Sequence, residues 1–315
     1  MKEMIPPVSR ALLAQELNSS TFLRYTNKGS NELYIVNDKN APNTLLEIGR
    51  LRELSFRESG GGTGLDCDLD DYDSGPYAYQ QLIVWDPDAQ EIIGGYRFIK
   101  CKDAIDAEGK IHLSTTHYFD FSDRFVKEYL PHTIELGRSF VQPKYQGKEG
   151  GKKSLFSLDN LWDGLGALVV LNPDIHYFFG KVTMYKSFDT EARDHILAFM
   201  HSRFPDSEGL LKAKPELRVG ISTEIAAFSE KVKEMDYKSA YNLLTSIVKS
   251  RGESVPPLIN SYMSLSSTMR TFETANNPDF GGVEETCILI TIKDIFPEKS
   301  ERHVSTFDES SSNLS

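Results

Sequence analysis

The sequence predicts an α/β (α+β) fold in which a mixed, mostly antiparallel twisted sheet is flanked by helices and followed by a mainly helical C-terminal addition. Three observations predict it. An amphipathic helix pattern begins at Thr44, short β-rich runs recur after it with two in hairpin spacing, and from Thr190 the pattern turns helical before one last apolar strand. The 315 residues, 39% hydrophobic and 26% charged, allow one large domain or one and a half.

The first helix is expected over Thr44 to Glu58. Thr44-Leu45-Leu46-Glu47 has capping-box spacing, and Leu45, Ile48, Leu51 and Leu54 recur on one helical face. The glycine-rich run Ser59 to Gly64 ends it and, with the acidic stretch Asp66 to Asp73, reads as a mobile loop able to close over a substrate. QQLIVWD (Gln80 to Asp86) and EIIGGYRFIK (Glu91 to Lys100), joined by Pro87-Asp88-Ala89-Gln90, form a hairpin. HTIELGRSFVQP (His132 to Pro143) is a third strand, stopped by its proline. A glycine-lysine turn leads to a helix from Ser154 to Leu171 and a strand from Ile175 to Met184. Helices follow over Thr190 to Phe204, Thr223 to Met235 and Tyr237 to Arg251, then the strand Glu285 to Ile292, which can return to the sheet. The expected organisation is a core over residues 1–188, a helical addition over 189–297 that returns one strand, and a disordered tail over 298–315, poor in apolar residues.

Composition narrows the function. A net charge of −11 argues against nucleic acid as the main partner, because phosphate binding needs a concentrated basic surface. There is no apolar run of ~18 residues, and the start MKEMIPPVSR has no apolar segment behind its charges, so a cytoplasmic protein is expected. Cys67, Cys101 and Cys287 lie far apart, without zinc-site spacing, and are expected as free thiols. His112, His117 and His132 show no ligand spacing either; no metal is expected. One local exception to the acidic balance is KYQGKEGGKK, where Lys144, Lys148, Lys152 and Lys153 make a landing site for an anion or, in the plainer reading, a solvated turn.

Several short motifs occur in one order: Arg52-x-x-x-Phe56, Asp70-Asp71-Tyr72-Asp73, Gly94-Gly95-Tyr96-Arg97 and Glu135-Leu136-Gly137-Arg138-Ser139-Phe140-Val141-x-Pro143-x-Tyr145. Together they resemble the acyl-carrier-protein-dependent branch of the GNAT superfamily, which holds acyl-homoserine lactone synthases, N-acyl amino acid synthases, and the hemolysin-like ornithine- and glycine-lipid N-acyltransferases. Val255 to Tyr262 and Asn277-Pro278-Asp279-Phe280 resemble the C-terminal part of the lipid-forming members. The resemblance implies the GNAT fold and transfer of a long-chain, 3-hydroxy fatty acyl group from acyl carrier protein to the amine of glycine or ornithine, the first step of aminolipid synthesis. It implies no bound cofactor. An autoinducer synthase is the nearest alternative, although such chains are shorter, and a non-catalytic carrier-protein-binding domain is another. The chain departs from acetyl-CoA users in one place: Gln146-Gly147-Lys148-Glu149-Gly150-Gly151 has glutamate where the first glycine of their turn belongs. Acyl-CoA is therefore the less favoured donor. The single phosphodiester of a phosphopantetheine arm needs only lysines and the amides opening the Ser154 helix, so Lys144, Gly147, Lys148, Gly150, Gly151, Lys152 and Lys153 are the candidates to hold it and its acidic carrier.

Chemistry sets the remaining expectations. An amine attacks a thioester only when neutral, and the resulting oxyanion must be stabilised. Glu135 is the candidate base and Arg138 its catalytic neighbour. On a regular strand these two face opposite sides, so serving one site requires a bulge near Gly137, which would also free backbone N–H groups near Phe140 and Val141 for the oxyanion. The plainer reading is a structural ion pair. Asp70 and Asp73 are placed to receive an ammonium or to hold Arg52 and Arg97 in a closed loop, with Phe56 packed one turn from Arg52. Arg97 lies in an apolar strand and needs a carboxylate partner. Tyr185 is a candidate donor to the leaving thiolate, and Tyr177, Phe178 and Phe179 read as core or acyl-channel wall. The product would be a membrane lipid, so contact with the membrane surface is a further expectation.

Overall fold

The structure, a computed structural model, describes residues 1–146, 151–154, 156–222 and 224–308, with the backbone alone at 151 and 152. In chain order these residues form α1 (Arg10–Glu16), β1 (Phe22–Tyr25), β2 (Glu32–Val36), α2 (Pro42–Glu58), β3 (Gln80–Asp86), β4 (Glu91–Lys100), β5 (Phe119–Phe121), β6 (Thr133–Val141), α3 (Gly151–Ser154), α4 (Ser157–Leu171), β7 (Tyr177–Met184), α5 (Thr190–Arg203), β8 (Leu211–Ala213), β9 (Arg218–Val219), α6 (Ala226–Glu234), α7 (Tyr237–Ser250), α8 (Pro257–Met263), β10 (Arg270–Asn277), β11 (Val283–Thr291) and α9 (Pro297–His303).

They group into two compact units. The first takes Met1–Ser114, Pro131–His176 and the chain from Phe296; the second takes Thr115–Leu130 and Tyr177–Ile295. The single boundary expected near residue 188 is therefore corrected. β7 pairs with β11 over its whole length, from Tyr177 against Thr291 to Met184 against Glu284, and this ladder ties it to the C-terminal part of the chain.

In the first unit β1, β2, β3, β4 and β6 lie side by side, each antiparallel to its neighbour. The β3–β4 hairpin forms where the sequence places it. Gly94 and Gly95 are required by close backbone approach: a Cβ on Gly94 would lie 2.4 Å from the Phe140 carbonyl oxygen, and one on Gly95 2.6 Å from that of Leu82. α2 buries Leu45, Ile48, Leu51 and Phe56.

The start of α2 differs from expectation. Thr44 lies inside the helix behind Pro42, and Glu47 turns to the Val8 N–H and to Arg50 instead of closing a capping box. The open N–H groups are capped from outside: Glu16, at the end of α1, accepts from the backbone of Asn43 (3.0 Å) and Thr44 (2.7 Å). Burial pushes the Glu16 carboxyl up, but these N–H donors outweigh it and hold the group below its ordinary value. Glu16→Ala is expected to cost about 1–2 kcal/mol, the usual value of a helix cap, as a lowered urea midpoint with unchanged m-value.

Two further corrections concern segments read as mobile. The glycine-rich loop is tied to α2 by the buried Glu53, which accepts from the N–H groups of Thr63 (3.0 Å) and Gly64 (2.8 Å) and from Arg57 Nε (2.6 Å). The segment from Glu298, read as a disordered tail, contains α9. That helix is held on α4 because the His303 Nδ1 lies 2.7 Å from Asp163 Oδ1, and because Gly166 lets the His303 carbonyl come where a Cβ would be 2.0 Å away. Residues 309–315 of the expected tail lie outside the described residues.

The second unit holds β7, β11, β10 and β9 in antiparallel order, with β5 and β8 as a separate antiparallel pair. β10 and β9 were not expected. RTFETANN alternates poorly, and β10 is specified by pairing with β11 rather than by its own apolar pattern. α5 carries the aromatic core of this unit, Phe199 meeting Tyr237 and Tyr241 edge-on at 6.0 and 6.2 Å.

Candidate active site

The charged residues singled out in the sequence converge in the first unit. Arg52, from the buried face of α2, donates through Nη1 to Asp73 Oδ1 at 2.9 Å and through Nη2 to Gln81 Oε1. Arg97, from β4, donates through Nη1 to Asp70 Oδ1 at 2.6 Å and to Asp73 Oδ2 at 3.2 Å. Arg52, Arg97 and Asp73 are buried, so each charge depends on the others for solvation. Burial by itself pushes the Asp73 carboxyl up; the Arg52 and Arg97 guanidiniums more than reverse this and hold it well below the carboxylate range. The loop after Gly64 thus carries Asp68 and Asp73 inward, with the Asp70 side chain, 32% exposed, at the edge and Asp66 and Asp71 exposed.

A bulge occurs in β6 near Gly137. Gly95 faces Phe140 and Arg97 faces Gly137, so two steps along β4 match three along β6. Arg138 takes up the extra residue at φ +51°, a left-handed conformation that costs a non-glycine residue about 1–2 kcal/mol. Its guanidinium reaches two carboxylates, Nε lying 3.1 Å from Asp68 Oδ2 and Nη2 3.6 Å from Asp70 Oδ2. Asp68 is buried, and burial pushes its carboxyl above the ordinary range despite Arg138, Arg52 and Arg97 nearby.

Glu135, three residues before Arg138 on β6, is fully buried. Its Oε1 accepts from the hydroxyls of Tyr79 and Ser114, both at 2.7 Å, and the Ser114 N–H donates to the Tyr79 hydroxyl oxygen at 3.0 Å. Burial and the adjacent Glu135 push the Tyr79 phenol well above its ordinary value, so it stays protonated as a fixed donor. Arg97 links the two halves of the site: its guanidinium carbon lies 5.0 Å from the Tyr79 ring centre and 5.5 Å from that of Tyr72.

The other expected residues are distributed around this centre. Phe56 is buried on α2, one turn beyond Arg52. Phe140 and Val141 lie just past the bulge, opposite Gly95 and Gly94. Lys144 pairs with Glu91 at 2.5 Å, and Lys153 with Asp86 at 2.5 Å and Asp88 at 3.5 Å, so acids of the β3–β4 hairpin engage both lysines. Gly147, Lys148 and Gly150 lie outside the described residues, as do the side chains of Gly151 and Lys152. Tyr185 follows β7 in the second unit. His112 stacks on Tyr77 at 4.2 Å with its Nε2 2.8 Å from Asp106, and His132 stacks on His176 at 4.8 Å. Four members of the cluster were not singled out from sequence. Asp68 lay within the acidic stretch, and Gln81 is a polar residue at a buried strand position; Tyr79 and Ser114 carried no local signal.

Residues 51–153, which contain every member of this cluster, match the acetyltransferase (GNAT) domain family. The chain is 51% identical over 311 residues to a glycine N(alpha)-acyltransferase of Bacteroides thetaiotaomicron, covering 98% of this chain and 92% of that protein. It is 47% identical over 308 residues to a glycine N(alpha)-acyltransferase of Phocaeicola vulgatus, covering 98% and 94%. Among solved structures it is similar to the AHL synthase LasI, with a TM-score of 0.32 and 17% identity over 49% of this chain and 73% of that one. With identity of this order over more than nine-tenths of the Bacteroides and Phocaeicola proteins, the chain belongs to their family of GNAT-type N-acyltransferases and is an acyltransferase.

Proposed function

We propose that this protein transfers a long-chain acyl group from a thioester to the amine of glycine, with Glu135 as the general base. One observation carries the site assignment: Arg52, Asp68, Asp73 and Arg97 are buried, whereas the Arg138 side chain (16% exposed) and the Asp70 side chain (32% exposed) keep surface and stand 3.6 Å apart with opposite charges. A small zwitterion fits such an edge, its carboxylate toward the guanidinium and its amine toward the carboxylate. Glycine in the names of both close relatives supports it as the acceptor over ornithine.

The donor we propose is acyl carrier protein bearing the acyl thioester, the 3-hydroxyacyl form being the first to assay. The glutamate in the Gln146 to Gly151 turn, where CoA users have glycine, supports this donor. Arg52, Phe56, Asp73 and Arg97 hold the acceptor edge rigid, and the interrupted pairing at the bulge supports the amides of Phe140 and Val141 as donors to the oxyanion. The turn from Lys144 to Lys153 is the proposed phosphopantetheine and carrier site. No helix among the described residues is long and apolar enough to cross a membrane.

The test is mass spectrometry of lipid extracts from cells expressing the wild type, with purified enzyme assayed on matched acyl-carrier-protein and acyl-CoA thioesters. New N-acyl glycine, formed at least tenfold faster from the carrier-protein thioester, is the expected result. N-acyl ornithine would replace the acceptor, equal rates would remove the donor preference, and no new amide from either thioester would overturn the proposal.

A further inference from the structure

The buried position of Glu135 raises a question of access, because a base with no exposed surface cannot meet an amine directly. We infer that Ser114 is a catalytic residue: its hydroxyl takes the proton from the acceptor amine while passing its own to Glu135 Oε1. This inference rests on the reading of Glu135 as the general base.

Three observations carry it. Ser114 is the member of the Glu135–Tyr79–Ser114 trio that keeps surface, at 9% against 0% for the other two. Its hydrogen is directed by the 2.7 Å bond to Oε1, and a hydroxyl so engaged still has acceptor lone pairs for an incoming N–H. Tyr79 does not fill the same role, since its hydrogen goes to Oε1 and its oxygen accepts the Ser114 N–H at 3.0 Å. Tyr79 is a positioning residue: through that N–H it fixes the backbone of Ser114, and through its own hydroxyl it fixes the carboxylate oxygen that Ser114 addresses.

The step balances. One proton of the bound ammonium passes first to solvent; as the resulting neutral amine nitrogen forms its bond to the thioester carbonyl carbon, one N–H bond breaks and a new O–H bond forms on Ser114. The original Ser114 O–H bond breaks and its proton ends on the Glu135 carboxylate, leaving Ser114 neutral throughout. The serine is unchanged at the end, and the thiolate leaves with the electron pair of the C–S bond.

The experiment compares purified Ser114→Ala, Ser114→Gly and Ser114→Thr with the wild type and Glu135→Gln, measuring kcat and the KM for glycine with the thioester that supports turnover. Loss of a general-base route costs about 10²- to 10⁴-fold. The expected result is a kcat at least thirtyfold lower in the Ala and Gly variants with glycine KM within about threefold, and recovery of most of the loss in Ser114→Thr, which restores a hydroxyl. A merely structural serine would lower stability or raise KM without hydroxyl rescue. If Ser114→Ala does not fold, Ser114→Gly applies the same criterion. Ala and Gly variants with kcat within threefold of wild type, beside an inactive Glu135→Gln, overturn the relay and leave the base; full activity in Glu135→Gln overturns the base itself.

Discussion

Glu135→Gln is expected to lower kcat by about 10²- to 10⁴-fold while the folded protein and its KM for glycine stay nearly unchanged. Glutamine is isosteric with glutamate, and its amide oxygen can still accept from the hydroxyls of Tyr79 and Ser114, so the 2.7 Å contacts on that side survive. What is lost is the ability to hold a proton. Glycine would still meet Arg138 and Asp70, which is why binding should be spared. The measurement is steady-state kinetics beside thermal unfolding of the same preparations. A Tm within about 2 °C of wild type with kcat down a hundredfold supports the role; kcat within threefold would make Glu135 a structural residue holding β6 to the loop at Ser114.

Asp73→Asn is expected to have the largest effect on stability, about 3–5 kcal/mol, because it leaves Arg52 and Arg97 buried with one carboxylate fewer between them. Asparagine can keep one hydrogen bond to Arg52 but supplies no charge, and Gln81, the other partner of Arg52, is neutral. Urea unfolding reads the change, and a loss below 1 kcal/mol would mean that solvent reaches these guanidiniums. The same pair sets a pH dependence. The Asp73 carboxyl is held below its unfolded value of about 3.9, so its stabilisation is complete above that pH and is lost as pH falls toward the depressed folded value. Asp68 has the opposite sign: its folded value is raised, so its contribution is present at low pH and fades as pH rises through that value. Wild type should therefore lose stability below about pH 4, and Asp73→Asn should show a flatter acid limb.

How much of the site can be read in advance depends on how each contact is made. Arg97 demanded a carboxylate because an apolar strand gives it no other solvation, and Asp70 and Asp73 supply it across 27 and 24 residues. The bulge was required by the spacing of Glu135 and Arg138, since three residues on a regular strand put two side chains on opposite faces. Asp68 was hidden among neighbouring acids. Ser114 and Tyr79 were invisible because no periodicity marks their segments, and they meet Glu135 from 21 and 56 residues away.

The sequence by itself determined three strands of the first unit, the hairpin pair between Gln80 and Lys100 and the strand ending at Val141, with the helix after residue 42 and the charged residues of the site other than Asp68, because hydrophobic period, turn residues and unpaired charge are local properties; β1 and β2 were not expected. It misplaced the cap of that helix, the domain boundary and the tail. Only the tertiary structure decided that Glu16 caps the helix after residue 42, that β7 belongs with β11, that the chain beyond Pro297 packs on the helix after Ser157, and that Glu135 is enclosed by Tyr79 and Ser114. Each of these is a hydrogen bond or close contact between residues distant in sequence, and its partner is chosen by which buried polar group lies within reach once the chain has folded.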